Sequence, residues 1–147
     1  MKVKLGSRKS RLALWQARRI AALLRDALED IDVQIVTMDT LGDKVLDKAL
    51  PEIGGKGLFT QELEAALMSD AIDLAVHSLK DLPTELPDGL KYAGSPARGN
   101  PTDALISHKW DSLEDIPKGG IIATGSRRRR SELLAERPDL KFRDLRG

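Results

Sequence analysis

The spacing of apolar positions switches repeatedly between two periods along this chain. Lys2–Leu5 alternates polar and apolar residues and stops at Gly6, which predicts a short strand. From Ser10 to Leu28, Ala13, Ala17, Ile20, Leu24 and Ala27 recur four and three apart, the mark of a long helix with one buried stripe. Val33–Met38 is rich in β-branched residues and predicts a second strand. Leu41–Gly57 loses both periods and reads as a polar, glycine-rich loop. Helical spacing resumes over Leu58–Met68, with Leu63, Ala66 and Leu67 facing inward. Ile72–Val76 is a short apolar strand, Pro83 and Pro87 mark a loop, and Leu90–Ala93 reads as an edge strand.

Strand, helix, strand, helix, strand in that order predicts an α/β fold with a mainly parallel sheet and helices on its faces. Breakers then crowd into Gly94-Ser95-Pro96-Ala97-Arg98-Gly99-Asn100-Pro101, a candidate boundary. Beyond it, Ala104–Ser107 and Gly120–Thr124 read as strands, Ser126–Glu136 as a helix and Leu140–Arg143 as a strand. The expected organisation is a first domain over 1–94, a hinge over 95–101, and the beginning of a second domain over 102–147. That second unit is too small to close a core comfortably by itself.

Composition narrows the function. Hydrophobic residues at 41% and charged residues at 32% describe an ordinary globular protein, and the net charge is only +1. The balance hides an asymmetry: residues 127–147 carry eight basic and four acidic groups, so the remainder is net negative. A nucleic-acid binder is expected to be basic throughout and richer in aromatics than 3%, and the chain opens without the long apolar stretch a membrane span requires, so neither nucleic acid nor a membrane is the expected partner. The chain has no cysteine, which excludes disulfides, thiolate metal sites and thiol nucleophiles within it. His77 and His108 stand in no metal-ligand spacing. Met1-Lys2-Val3-Lys4-Leu5 opens without the apolar stretch of a signal peptide, so a cytoplasmic location is expected.

Three segments follow predicted strands, at the edge where open α/β sheets bind ligands. They are Gly6-Ser7-Arg8-Lys9-Ser10, Val76-His77-Ser78-Leu79-Lys80-Asp81 and Thr124-Gly125-Ser126-Arg127-Arg128-Arg129. Each offers hydroxyls, cations and a helix start, though turn and cap chemistry explains any one of them equally well. Arginine presents planar, paired donors that suit carboxylates and phosphates. Along a helix turning about 100° per residue, Arg127–Arg130 fan around the axis, so roughly two of the four can converge on one ligand. Asp81 would be a lone carboxylate among cations, suited to a cationic or N–H-bearing ligand atom. His77 is the weaker candidate, a strand-end histidine being more often packed. Gly54-Gly55-Lys56-Gly57-Leu58-Phe59-Thr60 fails both nucleotide-loop patterns, because Leu50, Gly57 and Thr60 stand where those patterns need other residues. It reads as a connection or a lid, with Phe59 either a lid aromatic or core.

Together, Ala13-Leu14-Trp15-Gln16-Ala17, Gly54-Gly55-Lys56-Gly57-Leu58-Phe59, Val76-His77-Ser78-Leu79-Lys80-Asp81-Leu82-Pro83 and Leu145-Arg146-Gly147 resemble the porphobilinogen deaminase (hydroxymethylbilane synthase) family. The resemblance runs the length of the chain in the family's order. It implies three domains, the first two like type II periplasmic binding proteins, with a cleft between them and this chain forming about half. It implies a transferase of haem and tetrapyrrole biosynthesis that joins four porphobilinogen molecules head to tail, releasing ammonia, through oligopyrrole intermediates to hydroxymethylbilane. The growing chain hangs from a dipyrromethane cofactor held by a cysteine thioether. With no cysteine here, the cofactor is expected on a third domain outside this chain, which by itself should be inactive.

Carried over by position, Arg8, Ser10, Lys80, Thr124, Ser126, Arg128, Arg129 and Arg146 would bind the acetate and propionate groups of cofactor or substrate. Asp81 would contact the pyrrole nitrogens and stabilise the cationic azafulvene left by ammonia. Lys56 and Phe59 would belong to a mobile loop over the cleft, while Arg127 and Arg130 have no family role. A lysine common in the family is not located in Leu50-Pro51-Glu52-Ile53. The intact enzyme is expected to be a monomer, and this chain, with its half-built second sheet, to self-associate. A small-anion binding module without catalysis is the competing reading.

Overall fold

The computed structural model describes residues 1–44 and 57–145, and the chain divides into two compact units, Met1–Ala97 and Arg98–Gly147. The first unit is built on a parallel sheet in the order β2-β1-β3, from β1 (Lys2–Arg8), β2 (Asp32–Met38) and β3 (Leu74–Ala75). β1 and β2 pair along their full length from Lys2–Asp32 to Arg8–Met38, whereas β3 meets β1 only at Leu5–Leu74 and Gly6–Ala75.

Helix α1 (Arg11–Ala27) connects β1 to β2. It starts at Ser10, whose hydroxyl accepts from the Ala13 N–H at 3.3 Å, and ends where the Leu28 N–H bonds the Leu24 carbonyl. A short helix, α2 (Leu41–Lys44), follows β2, and α3 (Gln61–Met68) leads into β3. Asp30 and Asp70, at φ 58° and 56°, turn the chain after α1 and α3 in a region aspartate tolerates.

Strand alternation divides the core between the two faces of this sheet. Leu5 and Val33 pack with Ala17 and Ala21 of α1, joined by Ile20, Leu24, Ile35 and Val76. On the opposite face Leu63 and Ala66 of α3 pack with Ile72, joined by Val36, Met38 and Leu67. Leu5, Leu63 and Ile72 are all but inaccessible, and burying such a side chain contributes about 1.5–3 kcal/mol. Gly6 sits on the α3 face, where a Cβ would lie 2.3 Å from Ile72 Cδ1 and 2.8 Å from Leu63 Cδ2. The bare backbone lets α3 and Ile72 close on the sheet.

In the second unit β4 (Ile121–Ala123) and β5 (Lys141–Arg143) pair in parallel, joined by α4 (Arg127–Glu136). Its buried apolar residues are Ile116 and Leu140. Arg137 ties the preceding segment down, donating to the carbonyls of Leu113 at 2.6 Å and Ile116 at 2.9 Å while its Nε meets Asp139 at 2.8 Å.

Several expectations from the sequence change. β1 runs on to Arg8 rather than stopping at Gly6, because Gly6 and Ser7 are buried in the sheet. The helix expected over Leu58–Met68 begins only at Gln61, after a turn at 57–60. The first part of the loop expected over Leu41–Gly57 is helical as α2, and residues 45–56 lie outside the described residues. Leu90–Ala93 and Ala104–Ser107 are not strands. Their apolar residues are short runs with no core beneath them, and Tyr92, Leu105 and Ile106 stand exposed.

Candidate active site

The carboxyl edge of the three-stranded sheet gathers charge from three separate stretches. β1 ends in Arg8, the stretch after β2 carries Thr40 and, within α2, Asp43, and the segment after β3 forms a single 3₁₀ turn at Leu79–Asp81. Arg8 grips Asp43 with both arms: Nε to Oδ2 at 3.0 Å and Nη2 to Oδ1 at 2.5 Å. Its remaining terminal nitrogen, Nη1, lies 3.5 Å from Asp81 Oδ2. The fully buried Thr40 donates its hydroxyl to Asp43 Oδ2 at 2.7 Å, fixing the carboxylate from behind. Phe59 completes the setting, its ring centroid 4.0 Å from the Arg8 guanidinium carbon, a stacking contact that suits a planar cation. Gly42 makes room for that ring, because a Cβ there would lie 2.1 Å from Phe59 Cε1.

This edge is shielded but open: the side chains of Arg8, Asp43 and Asp81 are 18%, 24% and 18% exposed. The hydrogen bond from Arg8 is the main reason the Asp43 carboxyl is held below its ordinary range, with the Thr40 bonds adding to it against the cost of burial. The same contact holds the Arg8 guanidinium above its ordinary value, and Asp81 adds a smaller push. Burial pushes the neighbouring His77 imidazole down, opposed by Asp81 and Glu64. His77 therefore favours its neutral form, in keeping with a packed strand-end histidine. The segment carrying it is tied to α1 by Gln16, whose side-chain nitrogen donates to Ser78 Oγ at 3.1 Å.

The second unit holds a separate basic site. Ser126 caps α4 by accepting from the Arg129 N–H at 3.3 Å, and Thr124 Oγ1 accepts from the Ser126 N–H at 3.2 Å. These bonds hold the first turn of α4, from which Arg128 and Arg129 converge on one carboxylate, that of Asp103. Arg128 Nη2 meets Oδ2 and Arg129 Nε meets Oδ1, each at 2.7 Å. Arg130 turns elsewhere, to Asp144 at 3.2 Å and over the Phe142 ring.

The structure thus brings Arg8, Asp81 and Phe59 together, and separately Thr124, Ser126, Arg128 and Arg129. Asp81 is not a lone carboxylate, since Asp43 shares Arg8 with it. Phe59 is neither fully buried core nor free: it is half-buried against Arg8. The hydroxyls of Ser10, Thr124 and Ser126 all accept backbone bonds, the ordinary cap and turn chemistry. Lys80 is exposed on the 3₁₀ turn beside Asp81. Lys56 and Arg146 lie outside the described residues. Asp43, Asp103 and Gln16 were the residues sequence reasoning missed. An acidic residue in a polar loop carries no local mark of the arginine it will meet. Gln16 had a signal, standing inside the Ala13–Ala17 motif that carries the family resemblance.

Fold and site together define an α/β protein in which arginines at the carboxyl edge of the three-stranded sheet and at the start of α4 hold carboxylates of the chain's own aspartates. Comparison with known proteins makes the assignment particular. Residues 3–147 match the family model described as porphobilinogen deaminase, dipyromethane cofactor binding domain. The porphobilinogen deaminase of Maridesulfovibrio salexigens is 51% identical over 146 residues, which is 99% of this chain and 47% of that protein. Those of Syntrophomonas wolfei subsp. wolfei and Francisella tularensis subsp. tularensis are 53% and 48% identical over 145 residues, covering 99% of this chain and 47% and 48% of theirs. The chain belongs to the porphobilinogen deaminase family, and it spans about half the length of the curated relatives it matches.

Proposed function

We propose that this chain is the N-terminal part of a hydroxymethylbilane synthase, the cytoplasmic transferase that condenses four porphobilinogen molecules head to tail with loss of ammonia. In this reading residues 1–94 are most of a first domain resembling the type II periplasmic binding proteins, 95–101 a hinge, and 102–147 the beginning of a second domain of the same kind. The observation that carries it is the Asp81 carboxylate held at the sheet's carboxyl edge, 3.5 Å from an arginine already committed to Asp43. Asp81 shares that guanidinium with Asp43, so one positive charge faces two carboxylates. Asp81 can accept N–H bonds from pyrrole nitrogens and stabilise the cationic carbon that forms as the amino group departs.

The residues present fit a dipyrromethane. Each of its rings bears two carboxylates, and Arg128 with Arg129 already holds a carboxylate, that of Asp103, with one guanidinium on each oxygen. The family resemblance assigns the binding of acidic groups to Arg8, Ser10 and Lys80 in the first unit and to Thr124, Ser126 and Arg146 in the second, and a mobile-loop role to Lys56 and Phe59. When bound, the cofactor supplies a covalently held end to which pyrrole units are added. This chain has no cysteine and so offers no thioether attachment for it. Orienting the pyrroles through their acidic side chains brings one ring's reactive position to the next, which is where positional catalysis gains its rate.

The test is porphobilinogen consumption by the native gene product, with Asp81 intact or replaced. Asp81→Asn is expected to lower turnover by at least about a hundredfold, the scale of losing one preorganised electrostatic contact, while porphobilinogen binding persists. A native product that binds porphobilinogen but never consumes it would make the chain a small-anion binding module instead.

A further inference from the structure

Asp103 stands out among the acidic residues of the second unit. It lies in the irregular, exposed stretch before β4, and its carboxylate reaches 25 and 26 residues along the chain to Arg128 and Arg129. Both of its oxygens are used, one on each guanidinium, which is the arrangement a ligand's carboxylate would adopt on the same pair. The loop is shaped for this: Asn100 Oδ1 accepts from the N–H and the hydroxyl of Thr102, a turn that presents the next residue to α4.

The contact is nonetheless a surface one. The Arg128, Arg129 and Asp103 side chains are 58%, 51% and 36% exposed, and Asp103 belongs to no helix or strand. Ion pairs this open to water are weak, because solvent competes for both partners and two or three long side chains must be ordered to make them. Arg128 also has a second partner, Glu132 one turn along α4, which does not depend on Asp103.

We propose that Asp103 is a displaceable internal occupant of the Arg128–Arg129 site, so that a ligand carboxylate enters by exchange with it rather than by filling an empty site. The inference rests on the reading of Arg128 and Arg129 as carboxylate binders. Asp103 then sets selectivity: it keeps weakly held anions off the arginine pair, and ligands with several carboxylates, anchored elsewhere at the same time, displace it most readily.

The experiment titrates the purified chain with propionate, reading the Arg128 and Arg129 side-chain N–H resonances by NMR in the native protein, Asp103→Asn and Asp103→Ser. Removing the internal carboxylate is expected to tighten propionate binding about two- to fivefold, the span set by solvent-exposed carboxylate–guanidinium pairs. In the native chain the Asp103 carboxyl carbon resonance should move with the same midpoint as Arg129 Nε–H, a measurement that needs no variant. Equal or weaker binding by the Asp103 variants, or an Asp103 signal that stays fixed while Arg129 titrates, overturns the exchange. No propionate response at either arginine in any form overturns the carboxylate-binding reading itself, and the exchange with it.

Discussion

Replacing Asp43 by asparagine keeps the shape of the side chain and removes the charge that organises the sheet-edge site. Arg8 then loses a bidentate partner, and the buried Thr40 hydroxyl faces an amide instead of a carboxylate. Hydrogen bonds to charged groups contribute about 1.5–3 kcal/mol when shielded. The Arg8 and Asp43 side chains remain 18% and 24% exposed, which draws the figure toward the weaker surface range. Asp43→Asn should therefore destabilise the first unit by roughly 1–3 kcal/mol at neutral pH, between the shielded and surface limits. The effect should also depend on pH. Contact with Arg8 holds the folded Asp43 carboxyl below its unfolded value, so its contribution is fully present above the unfolded value of about 3.9 and is lost as pH falls through the folded one. Urea unfolding followed by circular dichroism, at pH 7 and at steps below pH 4, measures both quantities. A difference between native and variant under about 0.5 kcal/mol at neutral pH, the ordinary scatter of surface substitutions, would refute the argument. So would a difference that fails to narrow in acid.

Gly42→Ala pushes a methyl group into the Phe59 ring; overpacking of about 1–3 kcal/mol should outweigh the alanine's helix preference of about 1 kcal/mol or less, for a net loss in thermal melts and a shifted Arg8 Nε–H signal. Unchanged stability and an unmoved signal would mean the ring does not brace Arg8. Leu63→Ala empties the fully buried contact between α3 and the sheet and should cost about 2–5 kcal/mol in denaturant unfolding. His77, pushed down chiefly by burial, should titrate by NMR with a midpoint below the ordinary imidazole value of about 6.5. Because its folded value is the lower one, its effect on stability is neutral above the unfolded value and turns unfavourable as pH falls toward the folded one; a midpoint above the ordinary value would contradict the burial argument.

Much of the fold was legible because it follows from local pattern. The four-and-three spacing through Ala13 and Ala17 gave α1 nearly to its ends, since a helix that covers a sheet must carry such a stripe and Ser10 is a natural cap. β2 was equally plain from its β-branched residues. Leu90–Ala93 and Ala104–Ser107 misled because a strand needs a neighbour as well as composition, and pairing is not written locally. The arginines were visible as a cluster, and two of them, Arg128 and Arg129, meet one internal carboxylate while Arg130 turns to Asp144. Their partner Asp103, like the Arg8 partner Asp43, was not visible. Charge pairing across many residues depends on where the chain returns, and a lone aspartate in a loop gives no sign of it.

That distance has a kinetic consequence. Arg8 meets Asp43 across 35 residues, and Gln16 meets Ser78 across 62. The Lys4 N–H meets the Asp73 carboxylate across 69. Each closure must wait for ordered chain between its ends, and non-local contacts of this kind slow folding. The charged edge should therefore mature late, after α1 and the β1–β2 pair have formed. A refolding experiment that follows the Arg8–Phe59 contact should see it appear in the slowest phase, together with the docking of β3. Short peptides from this region, however well they fold locally, would lack the site altogether.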